Sequence, residues 1–181
     1  MVNLKKSNTM KLLLILIMLH LVSNRSKNKI WKDDGLSLKR TDYNGHQLKI
    51  DGYYYDKYGN PELFETYILY RNGIILNTGV VEKLKDLEQV ILNPDMINKL
   101  KGMKDAWGVF KIEGNTIQFE RWYPGDPPLK SYIRSGVIIN DTTFQITKSM
   151  RSNGEDLRDI NEIYHFKQFS LKPDSTNNFV Q

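Results

Sequence analysis

The run Glu62-Leu63-Phe64-Glu65-Thr66-Tyr67-Ile68-Leu69-Tyr70-Arg71 leads into Asn72-Gly73 and returns through Ile74-Ile75-Leu76-Asn77-Thr78-Gly79-Val80-Val81. Both runs are rich in aromatic and β-branched residues, which fit a pleated, half-buried surface. Asn72-Gly73 favours a type I′ turn, because both central residues of that turn need positive φ. The stretch predicts a β-hairpin, and the hairpin sets the class of the whole chain.

Working outward, the same signals recur. Upstream, Leu48, Ile50, Gly52 and Tyr54 alternate with Gln47, Lys49, Asp51 and Tyr53, the period of two expected of a strand with one face inward. Downstream the period changes over 82–103. Leu84, Leu87 and Ile91 fall at i, i+3 and i+7, with Lys83, Lys85, Asp86 and Glu88 on other faces. Asn93 is placed as an N-cap, with Pro94 at the first position of a second short helix carrying Met96, Ile97 and Leu100, and Gly102 closes it. These helices either lie across a mouth as a lid or cover the outside of the sheet; the apolar stripe favours permanent cover.

Strand signals resume at Trp107. Gly108, Phe110 and Ile112 share one face, Glu113-Gly114-Asn115 turns the chain, and Ile117, Phe119 and Arg121 share a face on the partner strand. Pro124-Gly125-Asp126-Pro127-Pro128 cannot supply regular ladder bonds and is read as a loop. Tyr132 to Ile139 is a strand with a bulge at Ser135-Gly136, followed by Thr142 to Met150 and then by a last strand from Ile160 to Phe169. The sum is an all-β fold of eight antiparallel strands with a short helical insertion between the third and fourth. A sandwich is the alternative to a barrel, but turns this short make a closed meander simpler.

At 181 residues there is room for one core of ordinary size. The formal charge of +5 suggests a nucleic-acid partner until its placement is considered. Of the 26 basic residues, Lys5, Lys6, Lys11 and Arg25 lie in a leader without acids, so the remainder holds 22 against 21 acidic residues. No nucleic-acid footprint remains. Lys5, Lys6 and Lys11 followed by the apolar run Leu12 to Val22, interrupted only by His20, read as an export signal, too short for a spanning helix. Met10 starts a complete signal by itself. Leu21-Val22-Ser23 resembles the approach to a lipidation site, but Asn24 stands where the cysteine would be, and the chain has no Cys. Disulfides, thiol catalysis and thiolate metal sites are thereby excluded. The expected organisation is a signal peptide or anchor over 1–23, a polar tether over 24–45, the barrel over 46–169 and a polar tail over 170–181. An extracytoplasmic monomer is expected, touching membrane only through an uncleaved leader.

Gly52-Tyr53-Tyr54-Tyr55, the run from Trp107 through Gly114-Asn115 to Ile117, and Tyr164-His165-Phe166-Lys167-Gln168-Phe169 resemble the lipocalin-like domains of small exported bacterial proteins. The resemblance spans roughly 46–169. It implies a calycin-type barrel with an apolar cavity and a role in holding a small hydrophobic molecule. The Gly-x-Trp of true lipocalins is here Gly52-Tyr53-Tyr54.

Few residues point to chemistry. His46 and His165 stand in separate elements without a nucleophile or ligand cluster beside them, and no phosphate-binding or hydrolase motif occurs. Neither an enzyme, a metal nor a cofactor is expected. The aromatic set Tyr54, Phe110, Phe119, Phe144, Tyr164 and Phe166 falls on the inward faces of its strands. It forms either the wall of a ligand pocket or a filled core. Arg121 points the same way as Phe119 and either pairs with an anionic head group or an internal carboxylate or, lying near the strand end before the Pro124 loop, reaches water. A competing reading makes the barrel a solid scaffold presenting Tyr53, Tyr55 and Tyr58 to a protein or glycan.

Overall fold

Alternation at period two puts every second side chain of a strand on one face, and closing the sheet turns that face into an interior. The computed structural model describes residues 32–180; the leader over 1–23, the first part of the tether and Gln181 lie outside the described residues. Eight antiparallel strands close in simple chain order: β1 (Gly52–Tyr58), β2 (Leu63–Leu69), β3 (Ile74–Val81), β4 (Trp107–Glu113), β5 (Thr116–Tyr123), β6 (Lys130–Asn140), β7 (Thr143–Arg151) and β8 (Arg158–Gln168). Tyr54 in β1 lies opposite Tyr67 in β2 and Phe166 in β8, which joins the last strand to the first. Between β3 and β4 stand two helices, α1 (Leu84–Leu92) and α2 (Pro94–Lys101). The architecture is a closed eight-stranded antiparallel barrel with a helical insertion between the third and fourth strands.

The 62–81 hairpin forms as β2 and β3, with a different turn from the one its sequence predicts. Tyr70 N–H donates to the Ile74 carbonyl, and Gly73 N–H to the Tyr70 carbonyl, both at 3.0 Å, so three residues make the loop. Gly73 takes positive φ, +76°, and Asn72 does not. This is a turn of ordinary hand ending in a left-handed glycine. The Asn72 side chain is engaged instead, its Nδ2 donating to Ser175 Oγ at 2.9 Å.

The first strand also starts later than the alternation over 47–54 predicts. Leu48 and Ile50 are buried, but they precede β1 and fold with Tyr43 across one end of the barrel, where all three join the interior cluster. Lys49 N–H donates to the Asp141 carbonyl at 2.8 Å, tying this plug to the turn between β6 and β7. One end is therefore closed by chain that precedes the barrel. The bulge between Ser135 and Gly136 occurs as expected.

The apolar side chains form two layers. Tyr54, Tyr67, Leu69, Ile75, Phe110, Ile117, Phe119, Phe144, Ile146 and Tyr164 fill the interior. Tyr53, Ile68, Ile74, Leu76, Trp107, Val109 and Trp122 form an outer layer on the same strands. Strands β1 to β5 are thus apolar on both faces, because their outer face is covered. Leu87 and Ile91 of α1 and Leu100 of α2 pack there, and Trp107 Nε1–H donates to the Leu100 carbonyl at 2.8 Å. The helices are a cover on the wall, not a lid on the mouth. Asn93 caps α2 as its position predicts, accepting from Asp95 N–H at 2.9 Å and Met96 N–H at 3.3 Å.

The described part of the stretch read as a tether is bonded to the barrel. Asp34 accepts from Arg151 through both carboxylate oxygens, at 3.0 and 3.1 Å, and Asp33 accepts from Leu129 N–H at 2.8 Å. Glu120, fully buried on the outer face of β5, accepts from Ser37 N–H at 2.7 Å and Leu38 N–H at 2.6 Å. The tail read as polar and frayed is likewise docked. Val180 is buried, Phe179 packs beside it, and Lys172 Nζ donates to the Ile50 and Leu69 carbonyls.

Candidate functional site

Tyr54, Phe110, Phe119, Phe144 and Tyr164 are all buried within the barrel, and Phe166 packs against them half-buried. Their rings face one another: Phe144 stacks on Tyr164 with centroids 5.0 Å apart, Tyr54 meets Phe144 at 5.0 Å, and Phe119 meets Tyr67 at 5.1 Å. Rings at these separations and angles are in direct packing contact. With the plug of Tyr43, Leu48 and Ile50 beneath, they fill the closed half of the barrel.

Arg121 does point inward, and its partner is an internal carboxylate. Its Nη2 donates to Glu65 Oε1 at 3.2 Å, its Nε to the Tyr67 hydroxyl at 3.1 Å, and its Nη1 to the Asp105 and Trp122 carbonyls, both at 3.1 Å. Every nitrogen of that guanidinium is engaged. Glu65 also accepts from Tyr67 OH at 2.9 Å and Asn77 Nδ2 at 3.1 Å. A second pair lies alongside, Arg134 of β6 donating to Glu162 of β8, with Arg134 Nη1 at 3.7 Å from Glu65. Tyr164 OH lies between the two carboxylates, 3.1 Å from Glu65 and 3.0 Å from Glu162. Two cations thus face two anions around two phenols, so the cluster is close to neutral. Buried charge is tolerated only when paired in this way.

Burial sets the proton affinities here. It pushes the Tyr67 and Tyr164 phenols well above their ordinary range, so both stay neutral hydroxyls. It also raises the Glu162 carboxyl, an effect that the Arg134 charge opposes. For Arg134, burial works against the charge, but the surrounding phenols and the Glu162 carboxylate outweigh it and hold the guanidinium protonated.

Above this cluster, at the end opposite the plug, the barrel opens into a cleft of about 540 Å³. Tyr123, at the end of β5, and Arg134 form its inner surface, and Leu129, Tyr132, Arg158 and Ile160 are on its sides. The Pro124 to Pro128 loop makes one rim. Tyr123 and Tyr132 meet edge to face at 5.3 Å, and the Arg121 guanidinium lies 4.0 Å from the centre of the Tyr123 ring. Asp34 N–H and the Leu129 carbonyl bond at 2.9 Å, so the N-terminal strap braces the rim. Two buried donors on this cleft, Tyr123 OH and Arg134 Nε, have no hydrogen-bond partner among the described residues.

None of the aromatic residues singled out from the sequence lines the cleft. The residues that do, and the ion cluster beneath, follow from continuing the same alternation. Glu65 is two before Tyr67, Glu162 is two before Tyr164, and Tyr123 is two after Arg121. The signal was the inward parity of these polar positions. His46 and His165 are exposed, and the described residues contain no group of three or more acidic, His or Cys side chains placed to hold a metal. Among the described residues no helix is long and apolar enough to cross a membrane. Comparison of the chain with protein-family models, curated proteins and solved structures finds no match.

Proposed function

We propose that the protein is a non-enzymatic, extracytoplasmic binding protein of the lipocalin-like, calycin type, which holds a small ligand at the open end of its barrel. The cleft of about 540 Å³ between Tyr123, Leu129, Tyr132 and Ile160 carries this reading, because its size and mixed lining suit a small molecule. The leader, with Lys5, Lys6 and Lys11 ahead of Leu12 to Val22, supports export. The packed aromatic half of the barrel supports a site at the mouth in place of the central hydrophobic pocket expected from the sequence. Native mass spectrometry of protein isolated from its own source tests the idea. A small adduct above the mass of the bare polypeptide is expected, and it should be lost when Ser149→Trp fills the cleft. Bare protein in both samples would overturn the reading.

The closely packed aromatic half of the barrel favours one second reading, a scaffold that engages a protein or glycan through its surface. The aromatic face expected for it is reduced, since Tyr53 is buried against Phe169 and donates to Glu88 at 2.9 Å, leaving Tyr58 at 44% exposure and Tyr55 half-buried. Retention of a partner by wild type and its loss by Tyr58→Ser would support that alternative.

A further inference from the structure

The two unpartnered donors on the cleft are of different chemical kinds and on neighbouring strands. Arg134 Nε belongs to a side chain only 11% exposed, whose Nη atoms are occupied by Glu162 and Tyr164. Tyr123 OH is buried against the Arg121 and Arg134 guanidinium groups, 4.0 and 5.8 Å from its ring centre. A guanidinium N–H can only donate, and a phenol whose proton is held by burial donates as well. Leaving either buried without an acceptor costs stability, and native proteins rarely do so twice at one place without a reason. The third such atom, Tyr70 OH, belongs to the outer layer and not to the cleft.

The charged side chains that line the mouth are mostly basic. Lys130, Arg134 and Arg158 line the cleft with Asp126 as the one acidic residue among the lining side chains. Arg158 is paired with Asp156, and Arg134 with Glu162, whereas Lys130 is exposed. Concave, low-dielectric surfaces concentrate such a field and draw in anions. Leu129, Pro128, Ile160 and the Tyr132 ring supply an apolar side to the same space.

We propose that the cleft takes a small amphiphile whose oxyanion accepts from both Arg134 Nε–H and Tyr123 OH, with its hydrocarbon part against Leu129, Tyr132 and Ile160. This rests on the cleft being the binding site, and it adds the ligand's chemical class. A carboxylate and a phosphate monoester share the required chemistry: acceptor oxygens with negative charge at one end of an apolar body. Arg121 sits behind the site with all its nitrogens engaged and acts as a positioning residue, stacked on the Tyr123 ring.

Octanoate, octyl phosphate and octan-1-ol, titrated separately into ¹⁵N-labelled full-length protein, test the assignment through the arginine Nε–H resonances. The two anions are expected to bind about tenfold tighter than the alcohol, as charge-assisted hydrogen bonds require. The Arg134 Nε–H signal should move downfield only with the anions. Tyr123→Phe removes a hydroxyl without a partner, so it should fold as wild type does. It should lose about fivefold to tenfold in affinity for the anions and none for octanol. Preference for octanoate over octyl phosphate assigns a carboxylate, and the reverse a phosphate; either supports the oxyanion. Equal affinity for octanol and the anions, or an unmoved Arg134 signal at saturation, overturns the oxyanion while leaving ligand binding intact. Failure of all three probes to bind overturns it also, and the adduct search on native protein then decides separately whether the cleft binds anything.

Discussion

Gly108 shows how one residue makes room for a buried charge. It lies opposite Arg121 in the β4–β5 ladder, and a Cβ there would stand 2.1 Å from the Glu120 carbonyl oxygen and 2.7 Å from Arg121 Cβ. The first of these is backbone and cannot give way, so any side chain at 108 must push β4 from β5. Gly108→Ala is expected to cost about 1–3 kcal/mol, read as a lower urea midpoint, whereas Gly35→Ala, which meets nothing within 4 Å, should be neutral. Equal midpoints for the two variants would show that the Arg121 packing is looser than described. Asn72 teaches a related lesson. Its dipeptide with Gly73 favours one turn, and the bond from its side chain to Ser175, over a hundred positions away in sequence, accompanies another.

Among elements, the strap over 33–38 departs most from its sequence. A polar stretch with isolated apolar points gives no periodic signal, so it reads as a linker. What holds it is charge and hydrogen bonding: Asp34 on Arg151, Asp33 on Lys104 and Leu129 N–H, and backbone N–H groups on the buried Glu120. The hydrogen bond from Lys104 lowers the Asp33 carboxyl, and the hydrogen bond from Arg151 lowers Asp34, in both cases below the ordinary value of 3.8. A carboxylate with a lowered folded-state value contributes stability that is complete above its unfolded value and is lost as pH falls through the folded one. Strap docking should therefore be constant from neutrality down to about pH 5 and weaken below about pH 4. Hydrogen exchange at Ser37 and Leu38 N–H, compared between pH 6 and pH 3 after correction for intrinsic rates, reads this directly. Unchanged protection would mean that these ion pairs do not hold the strap. The helices behave oppositely, since Leu84, Leu87 and Ile91, with the Asn93-Pro94 cap, are local signals that tertiary contacts reinforced.

At the scale of the molecule, the barrel is built with an inner apolar layer, an outer apolar layer over β1 to β5, and a polar mouth. The outer layer depends on segments far apart in sequence, and the tail is one of them. Deleting residues 171–181 removes Val180 and Phe179 from the outer cluster and Lys172 from the Ile50 and Leu69 carbonyls. A loss of about 2–4 kcal/mol is expected, measured by denaturant unfolding, with the barrel's far-UV spectrum kept. A midpoint like that of the full chain would return the tail to the polar, frayed reading. The cleft, by contrast, should be untouched by that deletion, because its rim is braced by Asp33 and Asp34 of the strap.

The sequence alone determined the number and order of the strands, the helical insertion, the capped second helix and the inward parity of Tyr54, Phe119, Arg121 and Tyr164. All of these follow from periods of two and 3.6 residues and from capping chemistry, which act between near neighbours. Only the tertiary structure decided that the aromatics fill one half, that Arg121 meets Glu65, and that Arg134 Nε and Tyr123 OH are left without a hydrogen-bond partner at an open mouth. It also decided that the strap over 33–38 and the tail pack against the barrel. Those outcomes depend on which strands become opposite when the sheet closes and on how much volume the side chains then occupy, and no local pattern encodes either.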